Sequence, residues 1–281
     1  GLRDLGRVHA YHAAARVARE RIETFLAQPT LTDDTRAALD LIASNGSVEF
    51  RDVSLGAALH GFSAHAAPGT VVAIIGPNGA GKSTLLALAA RLIDPDAGSV
   101  LIDGQPLTRV TAGSVRRAVG MVSSELPLLR GSLERNLRYR WPGAPAAEVE
   151  RVRALCRIDD LVAGLPDGGG LVQEGGANLS LGQRQRIALA RALLGEPAVL
   201  LLDEADVNLD PASNRIVDEV LHRHRGTVLM ATHRIERALQ ADAVWLVAEG
   251  RLVAAGAPRD VLAHPRAMGL FADDRTRREA A

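Results

Sequence analysis

Lysine is what this sequence lacks most visibly. Of its 33 basic residues one is a lysine, Lys82, and the other 32 are arginines. Cysteine is equally rare. Cys156 stands alone, which excludes a disulfide framework within the chain and a clustered thiol metal site, and fits a reducing compartment. Aromatic residues make up 3% of the chain, too few for the stacking platforms that single-stranded nucleic acid requires. Basic and acidic residues balance at 33 each, so no overall field or basic tail favours a nucleic-acid partner. No run of about 18 apolar residues is present to span a bilayer as a helix, and no charged, then apolar, then small-residue leader opens the chain. Gly1 stands where a methionine would, and from it we expect a piece of a longer protein or a residue left by expression.

What is present is an ordinary globular composition, 47% hydrophobic and 23% charged over 281 residues, long enough for one large domain or two. Residues 2–26 predict one helix, because Val8, Tyr11, Ala15, Ala18, Ile22 and Phe25 recur at helical spacing as a single apolar stripe. Two readings of it stay open: a surface helix packed on the domain that follows, or the cytoplasmic end of something longer. Pro29 and neighbouring turn formers end it, and a polar linker is expected over 29–46. From Ser47 the texture changes. "SVEFRDVSL" alternates as an exposed or edge strand does, whereas "TVVAIIG" is a continuous β-branched run of the kind buried in parallel sheets. "SVLIDG", "AVGMVS", "PAVLLLDEA", "GTVLMATH" and "AVWLVAEG" are further buried-strand candidates, with helical stretches between most of them. Strands alternating with helices predict an α/β layer fold around a mainly parallel sheet. The stretch from about Leu126 to Leu179 lacks strand runs, and an inserted helical subdomain is expected over about 126–183. Residues 266–281 read as a charged tail.

Gly76-Pro77-Asn78-Gly79-Ala80-Gly81-Lys82-Ser83-Thr84 satisfies the phosphate-loop pattern, with a buried strand before it and an apolar helix after it. Its glycines let backbone N–H groups turn inward around phosphate oxygens, and the helix N-terminus adds its positive dipole. Ser83 would place a hydroxyl on Mg²⁺. The bland alternative is a chance glycine turn before a helix, which the order strand, loop, helix argues against. Lysine is a compact charge on a flexible stem and arginine a broad planar fork. A loop wrapped around two phosphates admits the first shape only, which accounts for the one lysine.

"AVLLLDEA" supplies a second strand ending in Asp203, suited to holding Mg²⁺, and Glu204, suited to orienting an attacking water. Taken alone, such an acidic pair could equally cap a helix. Upstream lies "NLSLGQRQRIALARALL", in which Ser180, Leu181, Gly182 and Gln183 open an arginine-bearing helix. With phosphate loop, signature, acidic strand and a later histidine in this order, the chain resembles the ATP-binding cassette (ABC) family over about Ser47 to Pro265.

The resemblance implies a P-loop NTPase fold with a mainly parallel sheet flanked by helices, an antiparallel β edge and the inserted helical subdomain. Its substrate and metal would be ATP and Mg²⁺. It also implies a head-to-tail dimer, in which Ser180, Leu181, Gly182 and Gln183 act in trans on ATP held by a partner domain. Asn208, Leu209 and Asp210 match the loop that communicates across that interface. His233, in "LMATHR", matches the switch histidine at the γ-phosphate, and with Glu204 and Lys82 it would form the catalytic set. His222 and His224 have no such place.

Three departures stand out. Ser124 occupies the position where the family has a glutamine contacting Mg²⁺ and water; we expect Ser124 to act through a bridging water, or Glu125 to substitute, with slower or looser hydrolysis. Ala57 and Ala58 fall where the family stacks an aromatic on adenine, with His60 and Phe62 as substitutes and Phe62 better suited to the core, so weak base discrimination is expected. Leu181 replaces a glycine.

The segment "RERIETFLAQPT", the stretch "LLRGSLERNL" and the loop "LPDGGGLVQEGGANLS" with Glu174 resemble exporters. The implied protein is the ATP-hydrolysing domain of an ABC exporter at the cytoplasmic face of the plasma (inner) membrane. Its partners would be a second nucleotide-binding domain and a transmembrane domain of the same parent chain, with no nucleic acid. Alternatives are a non-transport ABC ATPase of DNA repair or translation, and the separate ATPase subunit of an importer.

Overall fold

The computed structural model describes residues 11, 15–24, 38–123, 127–163, 170–205 and 210–271. The chain divides into two compact units, residues 1–33 and 34–281. In the first, residues 15–24 form helix α1, along which Arg19 and Glu23 pair at i,i+4. Of the predicted stripe, Tyr11, Ala15, Ala18 and Ile22 are exposed, and Val8 and Phe25 lie outside the described residues.

The second unit is built on two sheets. In chain order its strands are β1 (Val48–Leu55), β2 (Leu59–Ala66), β3 (Val71–Ile75), β4 (Ala97–Ile102), β5 (Gln105–Pro106), β6 (Val119–Val122), β7 (Gly131–Ser132), β8 (Leu171–Val172), β9 (Val199–Asp203), β10 (Thr227–Ala231), β11 (Ala243–Ala248) and β12 (Arg251–Gly256). The helices are α2 (Lys82–Ala89), α3 (Ala112–Ala118), α4 (Leu133–Leu137), α5 (Ala146–Leu155), α6 (Ile158–Ala163), α7 (Leu181–Leu193), α8 (Pro211–Arg223), α9 (Ile235–Gln240) and α10 (Pro258–Leu262). The six-stranded sheet runs β12-β11-β3-β10-β9-β6, parallel from β11 to β6 with β12 antiparallel at the edge. The four-stranded sheet runs β2-β1-β4-β5 and is antiparallel throughout.

The apolar runs of β3 and β9 are buried on both faces because each face has its own core. Ala73, Ile75, Leu200 and Leu202 join α7 and α8 on one side. Val72, Ile74, Val199 and Leu201 join α2 and the antiparallel sheet on the other. This is the period-2 alternation of a strand sandwiched between layers. In the second core Phe50, Phe62 and Trp245 meet edge to face, with ring centroids 5.5 to 6.1 Å apart.

Five strands differ from the sequence expectations. "SVLIDG" forms β4 in the antiparallel sheet, and an apolar run alone cannot tell a buried parallel strand from one covered by a second sheet. Strands β2 and β12 were absent from the candidates: β2 is interrupted by register shifts against β1, and β12 is half-exposed and alanine-rich. The helical insertion also carries a two-stranded pair, β7 with β8.

Residues 38–47, which the sequence suggests are the end of a linker, lie bound along the antiparallel sheet. Asp40 accepts hydrogen bonds from Thr111 and Arg117, and the Leu41 amide donates to Ser114 Oγ. Ile42 and Gln105 exchange two bonds. Asp103 accepts the amides of Ser44, Asn45, Gly46 and Ser47 at 2.8 to 3.0 Å, together with the Ser47 hydroxyl.

Candidate functional site

Strands β3, β10 and β9 are adjacent and parallel, so their C-terminal ends open at one edge of the sheet. That edge is where open α/β sheets bind ligands. It carries the phosphate loop after β3, Asp203 and Glu204 at the end of β9, and His233 after β10.

The loop is held from two sides. A Cβ on Gly76 would lie 2.1 Å from the Val247 carbonyl, and one on Gly81 would lie 2.8 Å from Leu59 Cδ2 and 2.9 Å from the Ala58 carbonyl. Gly81 also has φ of +102° and Gly79 of +76°, backbone that an L side chain rarely adopts. Gly81 is the N-cap of α2 and offers no side-chain cap, so the first-turn amides keep their donors for an anion. Pro77, Asn78 and Gly79 are exposed, Ala80 is buried and Thr84 half-buried.

Lys82 is 6% exposed, and its Nζ donates to the carbonyls of Gly76 at 2.9 Å and Pro77 at 3.0 Å. Burial pushes its ammonium pKa down, opposed by the nearby Glu204 and Asp203 carboxylates. The Ser83 hydroxyl donates to Asp203 Oδ1 at 3.0 Å, and Ser123 Oγ lies 3.5 Å from Asp203 Oδ2. The sequence reading missed Ser123, whose only signal is its place directly after β6. Ser124 and Glu125 lie outside the described residues.

Glu204 has φ of +51°, a conformation costing a non-glycine residue of order 1 kcal/mol or more, and its amide donates to the Ala231 carbonyl at 3.1 Å. The carboxylate Oε1 is 3.0 Å from His233 Nε2, which donates when that nitrogen carries the proton. Both side chains are about two-fifths exposed, 44% for Glu204 and 38% for His233, so the pair is open to water.

A second group forms at the starts of α7 and α8. Ser180 caps α7 in a reciprocal box: its hydroxyl accepts from the Gln183 amide, and Gln183 Oε1 accepts from the Ser180 amide. Ser180 and Leu181 are exposed and Gly182 is buried. Asp210 caps α8. Asn208 and Leu209 lie outside the described residues. His222 is exposed, and His224 is half-buried, its Nε2 without a hydrogen-bond partner among the described residues. Phe62 belongs to the aromatic core, and Ala57 and Ala58 form the hairpin tip against Gly81 with no ring between.

The oxygens of Ser83 and Asp203, side by side at the loop, suit a hard divalent cation such as Mg²⁺. Among the described residues no cluster of three His, Cys, Asp or Glu side chains is placed to hold a metal alone, so phosphate oxygens and water would complete the shell.

The ABC transporter family model matches residues 59–207. An ATP-dependent lipid A-core flippase of Xanthomonas oryzae pv. oryzae (strain MAFF 311018) is 36% identical over 273 residues, which cover 94% of this chain and 46% of the flippase. The flippase of the same description from Xylella fastidiosa (strain 9a5c) is 36% identical over 263 residues, covering 90% and 44%. A solved bacterial Atm1-family ABC exporter with ATP bound matches with a TM-score of 0.85 at 33% identity, over 96% of this chain and 49% of that one. The chain thus spans about half the length of the relatives it matches. With the family model covering the phosphate loop, the signature and the acidic strand, the chain belongs to the ABC transporter family.

Proposed function

We propose that the chain is the ATP-hydrolysing domain of an exporter-type transporter, working with Mg²⁺ as a head-to-tail dimer at the cytoplasmic face of the membrane. The observation that carries this reading is the convergence of Lys82, Ser83, Asp203, Glu204 and His233 on the edge formed by β3, β9 and β10. The relatives' names, flippase and exporter, support the direction of transport. No helix of the described residues is long and apolar enough to cross a membrane.

In this reading the glycine loop and the α2 amides hold the nucleotide phosphates, and Lys82 turns its donors from the Gly76 and Pro77 carbonyls to them. Ser83 and Asp203 would hold Mg²⁺, which would supply charge neutralisation at the phosphates. Glu204 orients water, and His233 holds that carboxylate in place. Ser180 of the partner domain completes the site.

Glu204→Gln tests it. The variant is expected to bind ATP, to accumulate as an ATP-dependent dimer in sedimentation, and to release phosphate at least about a hundredfold more slowly. Phosphate release at the parent rate would remove Glu204 from the chemistry.

A further inference from the structure

We propose that Asp210 and Ser213 position the signature turn by packing on Gly182, so that the first turns of α7 and α8 move as one block. The proposal rests on the dimer reading above. Gly182 lies inside the first turn of α7, where a glycine is less favourable than alanine by about 1 kcal/mol. Its backbone is helical and needs no left-handed φ. Glycine serves space there, not conformation.

The space is already taken on the far side. A Cβ on Gly182 would lie 2.6 Å from Asp210 Oδ2, 2.9 Å from Ser213 Oγ and 3.7 Å from Ser213 Cβ. Those atoms are held in place. Asp210 Oδ1 accepts the Ser213 amide at 2.9 Å, and Oδ2 accepts the Ser213 hydroxyl at 2.8 Å. Ser213 is 3% exposed, so it cannot swing out to solvent. The bonds from the Ser213 amide and hydroxyl hold the Asp210 carboxyl below the usual carboxylate range. On the near side, Ser180 and Gln183 are locked by their reciprocal cap.

Deeper in the same seam the packing is slacker. Gln185 Oε1 is buried with no hydrogen-bond partner among the described residues, beside a cavity of about 10 Å³ that Ser213 also lines. The contact at Gly182 therefore sets the register of α7 on α8. In consequence a displacement of the first turn of α8 is passed directly to Ser180, the group presented to a partner's nucleotide.

A double-mutant cycle in the full chain, on the Glu204→Gln background, measures this by ATP-dependent dimerisation in sedimentation. Gly182→Ala is expected to weaken the dimer at least about tenfold, and adding Asp210→Ala with Ser213→Ala is expected to recover about tenfold of what independent effects would predict. Adding Asp210→Asn, which keeps the crowding volume, gives no recovery. Effects that simply multiply would overturn the proposal. Hydrogen exchange in the monomer without nucleotide is the second readout: Gly182→Ala should speed exchange of the Ser213 amide by about tenfold, through loss of its Asp210 bond. Unchanged exchange would overturn the proposal by itself. If the Glu204→Gln parent fails to dimerise with ATP, the dimer reading falls, and the exchange result still decides the packing claim.

Discussion

Helices α2 and α7 begin in opposite ways, and the contrast explains much of the molecule. Helix α2 starts at Gly81, buried, with no side-chain cap and with Lys82 folded back onto its own loop. Helix α7 starts at Ser180, exposed, with both members of a capping box satisfied. A helix start left uncapped between glycines receives an anion, because its amides have donors to give. A start that caps itself is rigid before any partner arrives. Ser180 oxygen accepts from the Gln183 amide, and among the described residues its own proton has no acceptor. One start is shaped as a receptor and the other as a probe.

The largest effect that would sharpen this contrast is expected at the receptor. Lys82→Ala should lower ATP hydrolysis by about a hundredfold or more, and Lys82→Arg should be nearly as poor. The pocket between the Gly76 and Pro77 carbonyls fits an ammonium, and a guanidinium fork needs more width. Phosphate release by Lys82→Arg near the parent rate would break the shape argument for the lone lysine.

At the probe the expectation differs in kind. Ser180→Ala should leave ATP affinity of the monomer within about twofold while weakening ATP-dependent dimerisation about tenfold, with roughly 1 kcal/mol lost from stability through the missing cap. Fluorescent-nucleotide titration and sedimentation separate the two quantities. Equal losses in both would make Ser180 part of the receptor.

A site touching neither helix start provides the control. Asp103→Ala should cost about 2 kcal/mol in urea unfolding, since amides of residues 44–47 lose their acceptor, and should leave nucleotide affinity unchanged. Partial burial alone would raise the Asp103 carboxyl, but the amides of Gly46, Asn45 and Ser47 and the Ser47 hydroxyl outweigh it and hold the pKa below 3.8. A depressed folded pKa means the stabilisation is complete above the unfolded value and is lost as pH falls through the folded one. Parent stability should therefore drop more steeply than that of Asp103→Asn as pH falls below the unfolded carboxyl's range, about pH 4.

The smallest effect concerns the base. Phe62 is spent in the aromatic core and the hairpin tip offers Ala57 and Ala58, so ATP and GTP should compete within about threefold, one face of stacking being worth little more. A preference above tenfold in a competition titration would point to a stacking partner elsewhere.

Most of the receptor was legible in the sequence. The loop glycines, Lys82, Asp203, Glu204 and His233 each sit at the end of an apolar strand, and strand ends are visible as the place where an apolar run stops. The walls were not legible. Val247 presses on the loop from a strand far away in sequence and Leu59 from the start of the neighbouring strand β2, and no local pattern announces either contact. Ser123 was missed for a related reason, since one serine after a strand is ordinary until Asp203 is found beside it. Strand β4 was legible as a strand but not as a member of the antiparallel sheet, because burial by a second sheet and burial by helices select the same side chains.

The sequence by itself determined the glycine-loop pattern on which the proposed phosphate cradle rests, because such a loop depends on backbone that only particular residues permit and on one cation shape. It also determined the five parallel strands β3, β6, β9, β10 and β11, whose apolar runs local composition records. Tertiary structure alone decided which helix start faces which carboxylate, why Gly182 has no side chain, and that residues 38–47 are bound rather than free. Those outcomes depend on through-space contacts between segments distant in sequence, where packing and hydrogen bonding act without leaving a local signature.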